Sequence, residues 1–177
     1  MEPPGVPLEI RPARPEHFEV AVDILEQAAG WLQVRGLDGW SPGMFRDPGG
    51  RGRRFLHEAL EAGNLHLAWR GGRAVATVTV QWDDQLFWPD EPPVAGYVHR
   101  LAVANREHGH GLGGDLLAWA EGEAVAGGKA FLRLDCAADD SGIKRYYERA
   151  GFLHVRDLSV ADIRVSLYQK PLPERGG

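Results

Sequence analysis

Two rhythms of apolar positions run along the chain and predict strands alternating with helices. Leu8 to Arg11 reads as a short strand stopped by Pro12. Pro15 suits the first turn of a helix, where its missing N–H is not needed. Phe18, Val22, Leu25 and Ala29 then recur at three-to-four spacing and give that helix one apolar face, continuing through Trp31 and Leu32 toward Gly36. A second helix is predicted over Arg53 to Ala62, with Phe55, Ala59 and Leu60 inward. Period-two and β-branched runs predict strands at Leu65 to Trp69 and Ala74 to Trp82, turned at Gly71-Gly72. Ala95 to Val103 is the next strand. A helix follows to about Ala126, with Leu112, Leu116, Ala120 and Ala124 on one stripe, ended by Gly127-Gly128. Phe131 to Cys136 is a strand and Ser141 to Ala150 a helix. Phe152 to Arg156 and Ile163 to Gln169 close the chain as strands joined near Ala161-Asp162. The order β-α-α-β-β-β-α-β-α-β-β is that of an α/β domain with a mixed sheet.

Two stretches have no such rhythm. Gly36 to Gly52 is rich in glycine around Trp40, Met44 and Phe45; it reads either as a binding wall or lid, or as a loop pinned to the core by its aromatics. Asp83 to Pro93 is a second loop, acidic and proline-rich, with Phe87 and Trp88. The Trp31 to Phe45 segment and the Asp83 to Pro93 loop are the expected walls of a substrate pocket. Met1 to Pro7 reads as a loose tail.

Composition narrows the class. A chain of 177 residues, 44% apolar and 25% charged, fits one globular domain with a core of its own. A formal net charge of -5 gives no nucleic-acid footprint. No apolar run approaches the ~20 residues that cross a bilayer, and the N-terminus has no signal-peptide pattern. The single cysteine, Cys136, excludes an internal disulfide and suits a reducing cytoplasm. Chemistry concentrates instead between His99 and Leu117. There Gly109, Gly111, Gly113 and Gly114 sit between a strand and a helix. Glycine lets backbone N–H groups approach a ligand closely. A helix start adds unpaired donors and the positive end of a dipole. Together they form a site for a phosphate or diphosphate.

Gly109, Gly111 and Gly114 spell G-x-G-x-x-G, and Asp135 lies near the end of the following strand, as in a dinucleotide-binding unit. Two features speak against that reading. Ala104 to His108 intervene between strand and turn, and the turn lies past the middle of the chain rather than opening it. A Walker loop fails because Gly114 is followed by Asp115, not by Lys-Ser/Thr.

His108-Gly109-His110-Gly111-Leu112-Gly113 resembles the Q/R-x-x-G-x-G/A acyl-CoA motif of the GNAT superfamily of N-acyltransferases. LDCAADDSGIKRYYERAGF, Leu134 to Phe152, resembles that family's later signature, in which a helix closes with Tyr-x-x-x-Gly-Phe, here Tyr147 and Gly151-Phe152. The resemblance spans roughly Ala74 to Gln169. It implies a GNAT-like fold, a mixed, mostly antiparallel twisted sheet of about six to seven strands flanked by about four helices. It also implies acetyl-CoA as acyl donor and a primary amine of a small molecule or peptide as acceptor, attacked directly in a ternary complex. The resemblance assigns the cofactor to the turn His108, Gly109, His110, Gly111, Leu112, Gly113 and Gly114. It assigns the pantetheine arm and the carbonyl to the splayed strand Leu101, Ala102 and Val103. Tyr147 is implied as the proton donor to the leaving thiolate. His108 stands at the Gln/Arg position, and Asp140 stands where the family often has Asn.

Removal of the amine's proton needs a base. His99, on the strand beside the motif, has an ordinary pKa near ~6.5 that suits the task; the alternative is a histidine merely hydrogen-bonded at a strand edge. Asp83, Asp84, Asp90 and Glu91 either attract a cationic amine and relay a proton, or are simply solvated. His108 and His110 lack a third ligand nearby and predict no metal site. Dimerisation is common in the family and compatible with this chain. Two other functions stay open: an acyl-CoA-binding sensor module without catalysis, and a nicotinamide-dinucleotide binder.

Overall fold

The computed structural model describes residues 6–174, so the tail expected at Met1 to Pro7 lies largely outside the described residues. The elements follow the expected order: β1 Glu9–Pro12, α1 Phe18–Val34, α2 Arg51–Glu61, β2 Leu65–Arg70, β3 Arg73–Gln81, β4 Ala95–Val103, α3 Leu112–Ala126, β5 Phe131–Ala137, α4 Ser141–Arg149, β6 Leu153–Val160 and β7 Ile163–Pro171. Short 3₁₀ turns precede α1 and α3. The strands form a mixed sheet in the order β1-β2-β3-β4-β5-β7-β6. β4 and β5 pair in parallel, whereas β1–β2, β2–β3, β5–β7 and β6–β7 are antiparallel.

The chain forms two compact units. The first runs to Gly36 and includes Trp40–Thr79 and Arg100–Leu116. Its core gathers Val22, Ile24 and Leu25 of α1, Leu56 and Ala59 of α2, and Leu65 and Leu67 of β2. The α1 face is the one its spacing predicts. On α2 the inward pair is Leu56 and Ala59, not Phe55, whose ring is half-buried under the guanidinium groups of Arg54 and Arg100, 5.5 and 5.6 Å from its centroid. The cations shield one face of that ring, so Phe55 need not enter the core. The glycine-rich loop after α1 is pinned. Phe45 is buried, Trp40 packs edge-on against it at 5.4 Å, and Glu26 accepts N–H bonds from Gly43, Phe45 and Arg46 at 2.7, 2.8 and 3.2 Å. Three bonds to one carboxylate are charge-assisted and hold the loop against fraying.

The second unit comprises Leu37–Gly39, Val80–His99 and the chain from Leu117 onward. Phe87, Trp88, Ala95, Tyr97, Val165 and Leu167 form one of its apolar clusters. The acidic loop before β4 is folded onto this unit. Trp88 is buried, and the guanidinium of Arg133 lies over its ring at 4.3 Å. Arg133, itself buried, donates to Glu91, Tyr97 Oη and Gln169 at 3.1, 3.1 and 2.9 Å. A buried guanidinium needs such partners to offset its lost hydration. Glu91 is therefore an anchor rather than a solvated charge. β6 runs on to Val160, beyond the expected Arg156, because it is an edge strand with mostly exposed residues and so lacks an apolar rhythm to read.

Candidate active site

In the first unit, the segment between β4 and α3 is braced before the glycine turn begins. The Ala104 N–H bonds the Val75 carbonyl at 2.9 Å, the Asn105 N–H bonds Gln27 at 3.0 Å, and Arg70 pairs with Glu107 at 3.2 Å. Gly109 and Gly111 then take φ of 82° and 77°, in the left-handed region that a Cβ disfavours. The first bond of α3 is Asp115 N–H to the Gly111 carbonyl at 3.1 Å. Helix geometry therefore leaves the N–H groups of Leu112, Gly113 and Gly114 without intrahelical acceptors. A Cβ built on Gly109, Gly111 or Gly114 meets no atom within 4 Å. The space on the Cβ side of these glycines is open, and the donor-rich helix start beside it suits a diphosphate.

The two histidines of the turn fold back on the protein. His108 donates from Nε2 to the Val103 carbonyl at 3.0 Å and packs edge-on against Trp31 at 5.8 Å. His110 donates from Nδ1 to the Glu107 carbonyl at 3.2 Å. On β4, Ala102 is buried, and Leu101 and Val103 are half-buried. Arg100 adopts φ 48°, a local kink in β4, and its carbonyl accepts from Thr77 Oγ1 at 2.7 Å. Holding a non-glycine residue there costs about 1–2 kcal/mol.

In the second unit, the pairs between β4 and β5 run from Ala95 opposite Phe131 to Val98 opposite Leu134. The next residue on each strand, His99 and Asp135, meets the other through its side chain, Nδ1 to Oδ1 at 3.3 Å. His99 Nε2 meets Asp84 Oδ2 at 2.9 Å, and the Phe87 N–H bonds the other Asp84 oxygen at 3.2 Å. The imidazole therefore lies between two carboxylates, one on each ring nitrogen. This corrects the expectation of an ordinary histidine. Burial opposes its charge, but hydrogen bonds to Asp135 and Asp84, and their negative charges, outweigh it and push the pKa up to about 9. At neutral pH His99 is an imidazolium and not a free base. Asp84 is likewise not a solvated loop acid.

The pKa of His99 bears on stability. Its folded value of about 9 lies above the usual 6.5, so its contribution is complete below pH 6.5 and is lost as pH rises through 9. That shift corresponds to on the order of 3 kcal/mol. Urea unfolding at pH 6.5 and 9.5 reads it: the wild type loses stability over that interval, and His99→Gln flattens the loss. Equal slopes in the two proteins contradict the pairing.

Tyr147 on α4 is buried, its ring 5.4 Å from Tyr146 and 5.9 Å from Phe152. Burial, with nearby Cys136, Asp135 and Tyr146, pushes its pKa above the ordinary phenol value, so it stays protonated. Asp140 caps α4: its Oδ1 accepts from the Gly142 and Ile143 N–H groups at 2.9 and 3.0 Å. That cap explains an aspartate at this position without a cofactor contact. Cys136 is buried, and burial pushes its thiol up to about 12, so it is not a nucleophile.

Asp84, His99 and Asp135 each offer a ligand atom within 4.8 Å of the others, the one such group among the described residues. In this arrangement the two carboxylates bond opposite ring nitrogens of His99. The importance of Asp135 was invisible in the sequence, where it stood out only as a candidate ribose ligand. A cavity of about 370 Å³ beside Trp69 and Gly71 holds none of the predicted site residues.

A model of the acetyltransferase (GNAT) family matches residues 25–152. A curated relative, the uncharacterized N-acetyltransferase YesJ of Bacillus subtilis, is 32% identical over 146 residues, which cover 80% of this chain and 79% of that protein. Among solved structures, a GNAT-family acetyltransferase of Listeria monocytogenes superposes with a TM-score of 0.72 at 22% identity, covering 97% of this chain and 99% of that one. The yncA protein of Salmonella typhimurium, solved with its cofactor acetyl-CoA, gives 0.66 at 16% identity, covering 97% of each.

Proposed function

The chain belongs to the acetyltransferase (GNAT) family, and from this premise we propose that it acts as a single N-acetyltransferase domain, moving an acetyl group from acetyl-CoA to a primary amine of a small molecule or peptide. The observation that carries the donor is the glycine turn, which stands beside open space at the donor-rich start of α3. The yncA relative holds acetyl-CoA, and the turn here fits the same diphosphate chemistry. Acetyl-CoA supplies an activated acyl group; the chain's residues do the rest. The amides of Gly109 to Gly114 bind the diphosphate. A freed N–H of Leu101 or Val103 polarises the thioester carbonyl. Tyr147 donates a proton to the leaving thiolate. His99, once neutral, takes a proton from the amine.

No helix among the described residues is long and apolar enough to cross a membrane, and the buried free thiol of Cys136 suits a reducing compartment. We propose a cytoplasmic location, which the buried thiol supports.

A thiol-release assay with acetyl-CoA and a panel of amines tests the reading. Thiol release that depends on an added amine supports it. Acetyl-CoA binding with no release across the panel indicates a sensor module instead.

A further inference from the structure

We propose that Asp84, His99 and Asp135 work as one unit on an alkylammonium acceptor: Asp84 fixes the His99 Nε2–H, Asp135 holds the acceptor's ammonium group, and Nδ1 of His99 takes its proton. This rests on the N-acetyltransferase reading and names the acceptor class.

The three side chains are not equally accessible. Asp84 is 5% exposed, His99 14% and Asp135 19%. Asp84 is the most enclosed of the three and Asp135 the most open to solvent. Asp84 is further held by the Phe87 N–H, and the Phe87 ring lies 6.4 Å from the imidazole. A buried, fixed carboxylate on one ring nitrogen selects the tautomer with the proton there and leaves a lone pair on the other. Asp84 is thus a positioning residue, and Asp135 is the carboxylate an incoming cation meets. Asp84, from the loop, and Asp135, from β5, are the charged groups that act on the imidazole.

An ammonium group that bonds Asp135 replaces the Nδ1–H of His99 as its partner. Two cations side by side repel, so the imidazolium gives its proton to water. Neutral His99 then faces the ammonium with its Nδ1 lone pair. Nδ1 takes one proton, the freed nitrogen bonds the thioester carbonyl carbon, the C–S bond breaks, and the thiolate receives the Tyr147 proton. The nitrogen's second proton passes through water to the Tyr147 phenolate, which leaves a neutral amide, and His99 returns the one it took to water before the next turnover. Asp84, still bonded to Nε2, sustains the basicity of neutral His99, which proton transfer from an alkylammonium of pKa ~10.4 requires. An aromatic amine is uncharged at neutral pH and gains nothing from Asp135.

The test compares butylamine with aniline in the thiol-release assay between about pH 6 and 10. It includes Asp84→Asn and Asp135→Asn, and NMR titration of the His99 ring in the same proteins. For the wild type, butylamine is preferred and its kcat/KM rises with pH toward a plateau near the His99 pKa. Asp135→Asn raises KM for butylamine about tenfold or more, well beyond any loss it causes with aniline. Asp84→Asn lowers kcat with little change in KM and moves the pH profile and the ring titration down together. An unmoved profile in Asp84→Asn, or equal loss for both amines in Asp135→Asn, overturns the proposal. The NMR arm needs no turnover: butylammonium lowers the His99 pKa in the wild type and not in Asp135→Asn, and no such shift overturns the proposal. Coenzyme A calorimetry on the same samples separates the two readings, because the donor site lacks these residues: its failure strikes the acetyltransferase reading, whereas the NMR arm reads the amine site by itself.

Discussion

Tyr147→Phe lowers kcat for thiol release by about 100-fold or more, the range a single positioned proton donor contributes, and leaves KM for acetyl-CoA within about twofold, since only a transition-state contact is removed. The fold gives reasons for both parts. The ring packs against Tyr146 and Phe152 through its edges and faces, and phenylalanine keeps those contacts. Burial holds the hydroxyl protonated through neutral pH, so the wild type always carries the proton it is to donate. Steady-state kinetics with one proven amine, together with a thermal melt, measure the split. A kcat equal to that of the wild type at unchanged stability removes Tyr147 from the reaction. Its neighbour Tyr146, 38% exposed, serves as the control position: Tyr146→Phe leaves kcat unchanged.

Gly111→Val weakens coenzyme A binding by about 100-fold or more, and Gly114→Ala weakens it by about tenfold while stabilising the protein. The first residue immediately precedes α3 at φ 77°, where a β-branched side chain is strained, and its methyl groups fill space that is open in the wild type. The second position has no positive φ and no atom within 4 Å of an added Cβ, so the fold itself accepts alanine there. Alanine is the better helix residue by up to about 1 kcal/mol. A rise in melting temperature together with a loss of affinity therefore separates a backbone cradle from a merely flexible turn. Wild-type affinity in both variants shows that the open space in front of these glycines serves something else.

The glycine turn was legible because its pattern has no structural use inside a core: four glycines in six residues at a strand–helix junction point to the main chain. The apolar stripe Leu112, Leu116, Ala120 and Ala124 was legible from period alone, and all four are buried. Strand β4 was placed to the residue because β-branched and apolar positions fill it. The surroundings of His99 were not legible. Asp84 comes from a loop and Asp135 from the end of another strand, and only the sheet brings them to the two ring nitrogens. A histidine's pKa depends on such partners, so the sequence offered only the ordinary value, where the structure raises it to about 9. Asp140 shows the reverse case. Asp-Ser-Gly before a helix is a plain N-cap signal, yet the family resemblance drew attention to a cofactor contact. The loop after α1 hid its structure for another reason: its anchor, Glu26, lies in the preceding helix and bonds backbone N–H groups, which carry no sequence identity.

Titration calorimetry of coenzyme A and acetyl-CoA into the wild-type protein addresses the central claim most directly. The backbone donors at the start of α3 predict saturable heat from both, at one site per chain, abolished or strongly weakened in Gly111→Val. No heat from either compound, with binding of a nicotinamide dinucleotide in its place, contradicts the account.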